Sequence, residues 1–148
     1  MGVNYAPPLA SIFIRFIAVL LDGLIAFVIL SPGYAILAYA SMSNPNNPST
    51  TALIFGGLTT VILVFVVLAL FCAMWAKGMT PGKYFLGLRV IKEDTGQYSG
   101  FWRMALREII GKWISGVICY LGYIWAFIDS RKQAWHDKIA GTLVISIK

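Results

Sequence analysis

Apolar positions run along this chain in long blocks, without the alternation of a half-buried strand or the single stripe of an amphipathic helix. From Ser11 to Met42 only Arg15 and Asp22 bring charge into the block, and Ser31-Pro32-Gly33 falls well along it. The pattern predicts a first membrane helix, kinked or broken at that tripeptide. Ser41 through Thr50 is turn-forming and uncharged, and predicts a short loop. Residues 51–76 contain no charged side chain, and Val61 through Phe71 is apolar on every face, which predicts a second spanning helix.

Charge then orients these elements. Lys77 through Lys112 carries seven basic residues against Glu93, Asp94 and Glu108. The positive-inside rule places this stretch and the N-terminus in the cytoplasm, with 41–50 outside. Within it, Tyr84 through Ile91 followed by Lys92-Glu-Asp-Thr-Gly96 predicts a short strand and turn, and Thr142 through Ile147 predicts a second strand. Trp113 to Ile128 offers 16 uncharged residues, fewer than the usual span. A single crossing there would put Arg131, Lys132, Lys138 and Lys148 outside, against the same rule. A re-entrant segment satisfies the rule and lets the two strands meet; a plain third span, with the first helices dominating orientation, is the alternative. The predicted fold is an all-α membrane protein with two transmembrane helices, a third intramembrane segment that re-enters or spans, and a small cytoplasmic β element. It forms one multi-pass domain over 11–147 in the cell membrane, behind a short tail, 1–10.

Composition supports the lipid environment. Of 148 residues, 59% are hydrophobic and 12% charged, with a mean hydropathy of +0.77, whereas soluble domains hold roughly 45–50% and 25%. A domain of this length buries only about two-thirds of its surface, so that much apolar material does not fit inside. The net charge of +6 reads as a topology signal, not a nucleic-acid surface. Cys72 and Cys119 lie in apolar stretches and behave as small hydrophobes. Ala38-Tyr39-Ala40 looks like a signal-cleavage triplet, but the apolar run before it is too long for a signal peptide, no basic region opens the chain, and the helix is expected to be retained.

Few residues carry candidate chemistry. Arg15 and Asp22 are seven positions apart, so they project from nearly one helix face about 10 Å apart along the axis. Arg15 can snorkel to the headgroups, but Asp22 is too deep, and a carboxylate there costs roughly 2.5–3.5 kcal/mol unless it meets protein, water or a cation. It is either an ion or proton site or a structural interhelical contact. Asp129 and Asp137 flank a polar run that can reach back to Arg15, Arg103, Arg107 or Lys112, or else form a solvated charge run. Gly78-Met-Thr-Pro-Gly82-Lys83 lacks the spacing and the following Ser or Thr of a phosphate loop, and reads as a membrane-edge turn. One histidine, His136, is too few for a metal site. Tyr34, Tyr39, Trp75, Trp102, Trp113, Trp125 and Trp135 fit interfacial belts. No nucleophile–base set assembles, so neither an enzyme nor a cofactor is expected.

Arg15 with Asp22, the stretch Gly78 through Ile91, Arg107, and Asp129 through Val144 together resemble the RDD family of membrane proteins, named for one arginine and two aspartates. The resemblance covers about Ser11 to Ile147. Its arginine and first aspartate map to Arg15 and Asp22, and its second aspartate most naturally to Asp137, with Asp129 a further candidate. Pro81 stands where members commonly carry Leu or another apolar residue. The resemblance implies ion or small-solute transport, including cation/proton exchange. Asp22 would then carry the cation or proton, Arg15 would be its counter-charge, and Asp137 or Asp129 would form the inner relay. Two or three spans enclose no pathway, so transport implies a homo-oligomer or a partner membrane protein in the lipid bilayer. The other reading is a structural or accessory module.

Overall fold

The computed structural model describes residues 8–44, 47–111 and 121–147. Its first two helices form an antiparallel hairpin. At 1.5 Å per residue, α1 (Ile12–Ser43) is about 48 Å long and α2 (Thr50–Trp75) about 39 Å, so both exceed the ~30 Å hydrocarbon core. Among the described residues these are the two helices long and apolar enough to cross a membrane. Phe13, Phe27, Ile62 and Phe65 all project outward, a surface that lipid can cover without leaving backbone polar groups unpaired. The helices touch where side chains are absent. A Cβ on Gly33 would lie 2.9 Å from the Thr60 Cα, and one on Gly56 would lie 2.9 Å from Leu37, so glycine permits the close approach.

Of the two expected outcomes at Ser31-Pro32-Gly33, a kink or a break, the break does not occur: α1 is one helix through Pro32. Proline removes the N–H that the Val28 carbonyl would accept. The Ser31 hydroxyl donates to that carbonyl instead, at 2.9 Å, and the helix continues to Ser43.

A polar cap forms at the end of the hairpin where α1 begins and α2 finishes. Beyond Trp75 the chain reverses at Gly78 (φ 67°), whose carbonyl accepts from the Val90 N–H at 2.8 Å. A short helix, α3 (Pro81–Phe85), follows. Strand β1 (Leu88–Lys92) pairs antiparallel with β2 (Thr142–Ser146), Val90 opposite Val144. Residues just before α1 add an edge, the Ala10 N–H donating to the Val144 carbonyl and the Ser146 N–H to the Pro8 carbonyl, each at 2.9 Å. Helix α4 (Gly100–Ala105) runs into a π-helical turn, Leu106–Gly111, and α5 (Leu121–Ile128) and α6 (Trp135–Ala140) lead to β2. Ala10, Ala18, Leu88, Val90, Met104 and Val144 form a small core, with Trp75 and Leu86 packed against it.

The β element therefore exists, with a later start than expected. Residues 84–91 were expected as strand, but Thr80 followed by Pro81 is a helix start: the Thr80 hydroxyl accepts from the Lys83 N–H at 3.4 Å, and Pro81 needs no hydrogen bond at the first position. The chain becomes extended only at Leu88. Residues 100–111, for which the sequence predicted no element, are helical. Of the ambiguous apolar segment 113–128, 121–128 is helix, and 113–120 lies outside the described residues.

The tightest joint between hairpin and cap is at Gly82, where an added Cβ would collide with the Ala18 carbonyl oxygen of α1. Gly82→Ala is expected to lower the thermal midpoint of the detergent-solubilised protein by about 3–10 °C, the effect of roughly 1–3 kcal/mol of overpacking. Gly57→Ala, with nothing within 4 Å, should shift it by about 1 °C at most. Equal shifts in a thermal-unfolding series would contradict the joint.

Candidate functional site

Asp22 is buried on α1, and both its oxygens are engaged by the start of α3. The Thr80 hydroxyl donates to one at 2.7 Å, and the Gly82 N–H donates to the other at 2.7 Å. Thr80 thereby donates to Asp22 while accepting from Lys83, so a membrane-helix carboxylate and a cap residue jointly satisfy the first N–H groups of α3. The arrangement answers the question posed by a deep carboxylate: its charge is met by hydrogen-bond donors of the cap.

Two turns or so earlier, Arg15 reaches across to the other end of the chain. Its guanidinium donates to the Lys132 carbonyl at 2.7 Å, the Val144 carbonyl at 3.0 Å and the Asp137 carboxylate at 3.3 Å. Asp137 is buried at the start of α6. One of its oxygens pairs with Arg107 Nε at 2.7 Å, and the other accepts from the Ala134 N–H at 3.2 Å, the N3 half of a capping box. His136 Nε2 stands 3.7 Å from Asp137. The π-helical turn carries both Arg107 and Glu108. Glu108 accepts from Arg107 at 3.4 Å and from Lys83 Nζ at 3.0 Å. The result is a buried chain, Arg15–Asp137–Arg107–Glu108–Lys83, linking α1, α6, the π turn and α3. Unpaired, any of these charges would be strongly disfavoured at such burial.

Burial is the largest influence on Asp137 and opposes its ionisation. The charges of Arg107, His136 and Arg15, with the Ala134 N–H, outweigh it and hold the carboxyl below its ordinary 3.8. Beside the cluster opens a cavity of about 550 Å³, with Arg15, Lys83, Arg107, His136 and Asp137 on one side and mostly apolar residues of α1 and α5 on the other.

The structure thus brings together Arg15, Arg107 and Asp137, and seats Asp22 in a separate contact. Arg15 is the counter-charge of Asp137 where Asp22 was expected. Asp129 takes no part in this chain of charges. It accepts from Lys138 Nζ at 2.6 Å and from the Arg131 and Gln133 N–H groups at 3.2 and 3.0 Å, and the Lys138 bond foremost holds its carboxyl below the usual range. Lys83, Glu108, Thr80 and His136 were not picked out as members of the site. Thr80-Pro81 was the available signal, a capping residue before a first-position proline; the pairing of Lys83 with Glu108, 25 residues apart, has no local signature. Among the described residues no three His, Cys, Asp or Glu gather to hold a metal.

An apolar hairpin that passes an arginine and an aspartate from its first helix to a cap, where a second aspartate closes the contact, defines a small integral membrane protein organised by its few charges. The profile of the RDD family matches residues 9–141, and the chain belongs to that family. It is 30% identical to an uncharacterized protein, YxaI, of Bacillus subtilis over 92% of this chain and 96% of the relative. It is 33% identical to a "Proline-rich antigen homolog" of Mycobacterium tuberculosis over 47% of this chain, and 35% identical to the "Proline-rich antigen" of Mycobacterium leprae over 49% of it. These matches span only 29% and 28% of the two antigens. No solved structure matches significantly.

Because the folded Asp137 titrates below its unfolded value, its stabilisation is complete above the unfolded pKa and is lost as pH falls through the folded one. Thermal midpoints in detergent should hold steady down to about pH 5 and fall below about pH 4. Asp137→Asn should lose roughly 3–5 kcal/mol at neutral pH by leaving Arg107 and Arg15 underpaired, and should show a shallower acid limb. An unchanged acid limb in the variant would contradict this assignment.

Proposed function

We propose that the chain is a structural or accessory membrane module, a lipid-embedded hairpin that holds a charged cap at one membrane face to serve another membrane protein. The observation that carries the reading is where the family's three residues place their polar atoms. Asp22 binds Thr80 and the Gly82 N–H, Arg15 binds two backbone carbonyls and Asp137, and Asp137 binds Ala134 and Arg107. Groups so committed to the chain's own backbone hold elements together. The presence of a related stretch within the longer mycobacterial antigens supports a unit used inside larger assemblies. The cap is cytoplasmic in this reading, as its basic excess argues. The antiparallel pairing of β1 with β2 supports a re-entrant path between them, with both strands on one side of the bilayer.

A second reading, transport of cations, protons or small solutes by an oligomer, draws support from the cavity beside the buried charges. One variant separates the two. Asp22→Asn puts an amide N–H where a carboxylate oxygen accepts, and should lose about 1–3 kcal/mol of stability in detergent unfolding. In vesicles under a Na⁺ or K⁺ gradient, internal pH should respond equally to wild type and variant. A fully stable Asp22→Asn protein that abolishes a wild-type flux would overturn the module in favour of transport.

A further inference from the structure

Helix α3, helix α4 and the π turn are built inside out. Trp102 is 82% exposed, Ile109 61% and Tyr84 60%, and Ile110 also faces outward. On the same three elements Lys83 and Arg107 are 2% and 3% exposed, and the Glu108 side chain is buried as well. A segment that meets water shows the reverse order, charge outward and apolar residues toward the core. The turn at 93–97 has that ordinary order, with Glu93, Asp94, Thr95 and Gln97 exposed. One side of the cap is thus finished for water, and another is not.

The inverted elements are held at the depth of the lipid boundary. In the hairpin Gly33 faces Thr60 and Gly56 faces Leu37. Fifteen residues back along α1 from Gly33, and fifteen on along α2 from Thr60, this register sets Ala18 level with Trp75. From that level to the far end of α1 at Ser43 is about 38 Å, so a hydrocarbon core of ~30 Å stops no more than about 8 Å short of it, within the thickness of a headgroup layer. Helix α3 meets α1 at that level or deeper: Gly82 packs on the Ala18 carbonyl, and its N–H donates to Asp22, a turn further in. The Phe101 ring lies 6.0 Å from the Trp75 ring, and Trp102 stands edge-on to Phe101 at 5.5 Å. Lys83 joins α3 to the π turn through Glu108.

We propose that the exposed side of α3, α4 and the π turn is itself a membrane surface. Tyr84, Trp102, Ile109 and Ile110 lie in the headgroup and upper acyl region of the leaflet at the cap's end of the hairpin, so the cap is sunk into that leaflet with its charges turned inward. The lipid that covers the outer faces of α1 and α2 continues over these residues without a break. Tyr and Trp suit that layer, each an apolar ring with a polar edge, and exposed Lys77, just past Trp75, stands where headgroups lie. The inference goes beyond the module reading and does not rest on it.

The test uses the unaltered full chain in lipid nanodiscs, which are open on both faces. It is photolabelled in parallel with a bilayer-partitioned aryl diazirine and a water-soluble one. Insertion is mapped residue by residue by tandem mass spectrometry, each residue being referred to its labelling in the denatured chain. The ratio of lipid-borne to aqueous label at Tyr84, Trp102 and Ile109 should exceed that at Thr95 by about tenfold or more, as the ratio at Phe65 on the outer face of α2 should. A smaller excess at the three cap residues, with Phe65 labelled as expected, overturns the proposal, since the cap would then stand in water. Protection of Trp102 and Ile109 from both reagents also overturns it, because a second copy or a partner protein would then cover the patch. Neither result requires a variant to fold.

Discussion

The structure depends on one buried carboxylate. Asp137 lies at the start of a six-residue helix, almost without exposure, and is kept ionised against burial by Arg107, His136 and Arg15 with the Ala134 N–H, the two arginines approaching from two other elements. Two cations on one acid fix the place of α1, the π turn and α6 together, because moving any of them strands a charge in a poor solvent. Arg107 then needs Glu108, and Glu108 needs Lys83. A cap whose apolar core is only a few residues thereby gains a definite arrangement from polar contacts. Such contacts contribute less to net stability than their number suggests, since burying each charge is itself unfavourable, but they leave few competing arrangements.

Asp22 plays the complementary part on the membrane side. Its two bonds to Thr80 and Gly82 seat α3 against α1, and Gly82 lets the backbones approach to where no side chain would fit. The helix start of α3 is thus shared between a local residue, Thr80, and a remote one. An acid on the first long helix becomes the anchor for an element of the cap, so it needs no charged partner on α2.

The long helices, the paired strands, and Arg15, Asp22 and Asp137 as charges that must find partners were all readable along the chain. Hydropathy blocks and β-branched runs are properties of neighbouring residues, and a charge in a membrane segment is conspicuous by itself. Partner choice was less readable. Arg15 and Asp22 share a helix face, which suggested that they pair, yet they diverge to different parts of the cap. That choice depends on where residues 80 and 137 fold, which no local pattern encodes. Pro32 did not break the helix, because the Val28 carbonyl that it leaves without a backbone donor accepts from the Ser31 hydroxyl. Residues 84–87 misled because the apolar, aromatic run Tyr84-Phe85-Leu86 outweighed the helix signal at Thr80-Pro81.

The span of the Arg15–Asp137 contact, 122 residues, also bears on how the molecule comes into being. At roughly 5–20 residues per second of synthesis, α1 emerges about 6–24 s before the aspartate that completes its arginine's surroundings. During that interval the helix must enter the membrane with Arg15 lacking its acid, and with Asp22 lacking Thr80 for a shorter time. The nascent hairpin therefore forms without these polar contacts, and the cap closes only after residue 137 has been made. A chain that stops before residue 137 leaves the Arg15 guanidinium at the end of the hairpin without its acid.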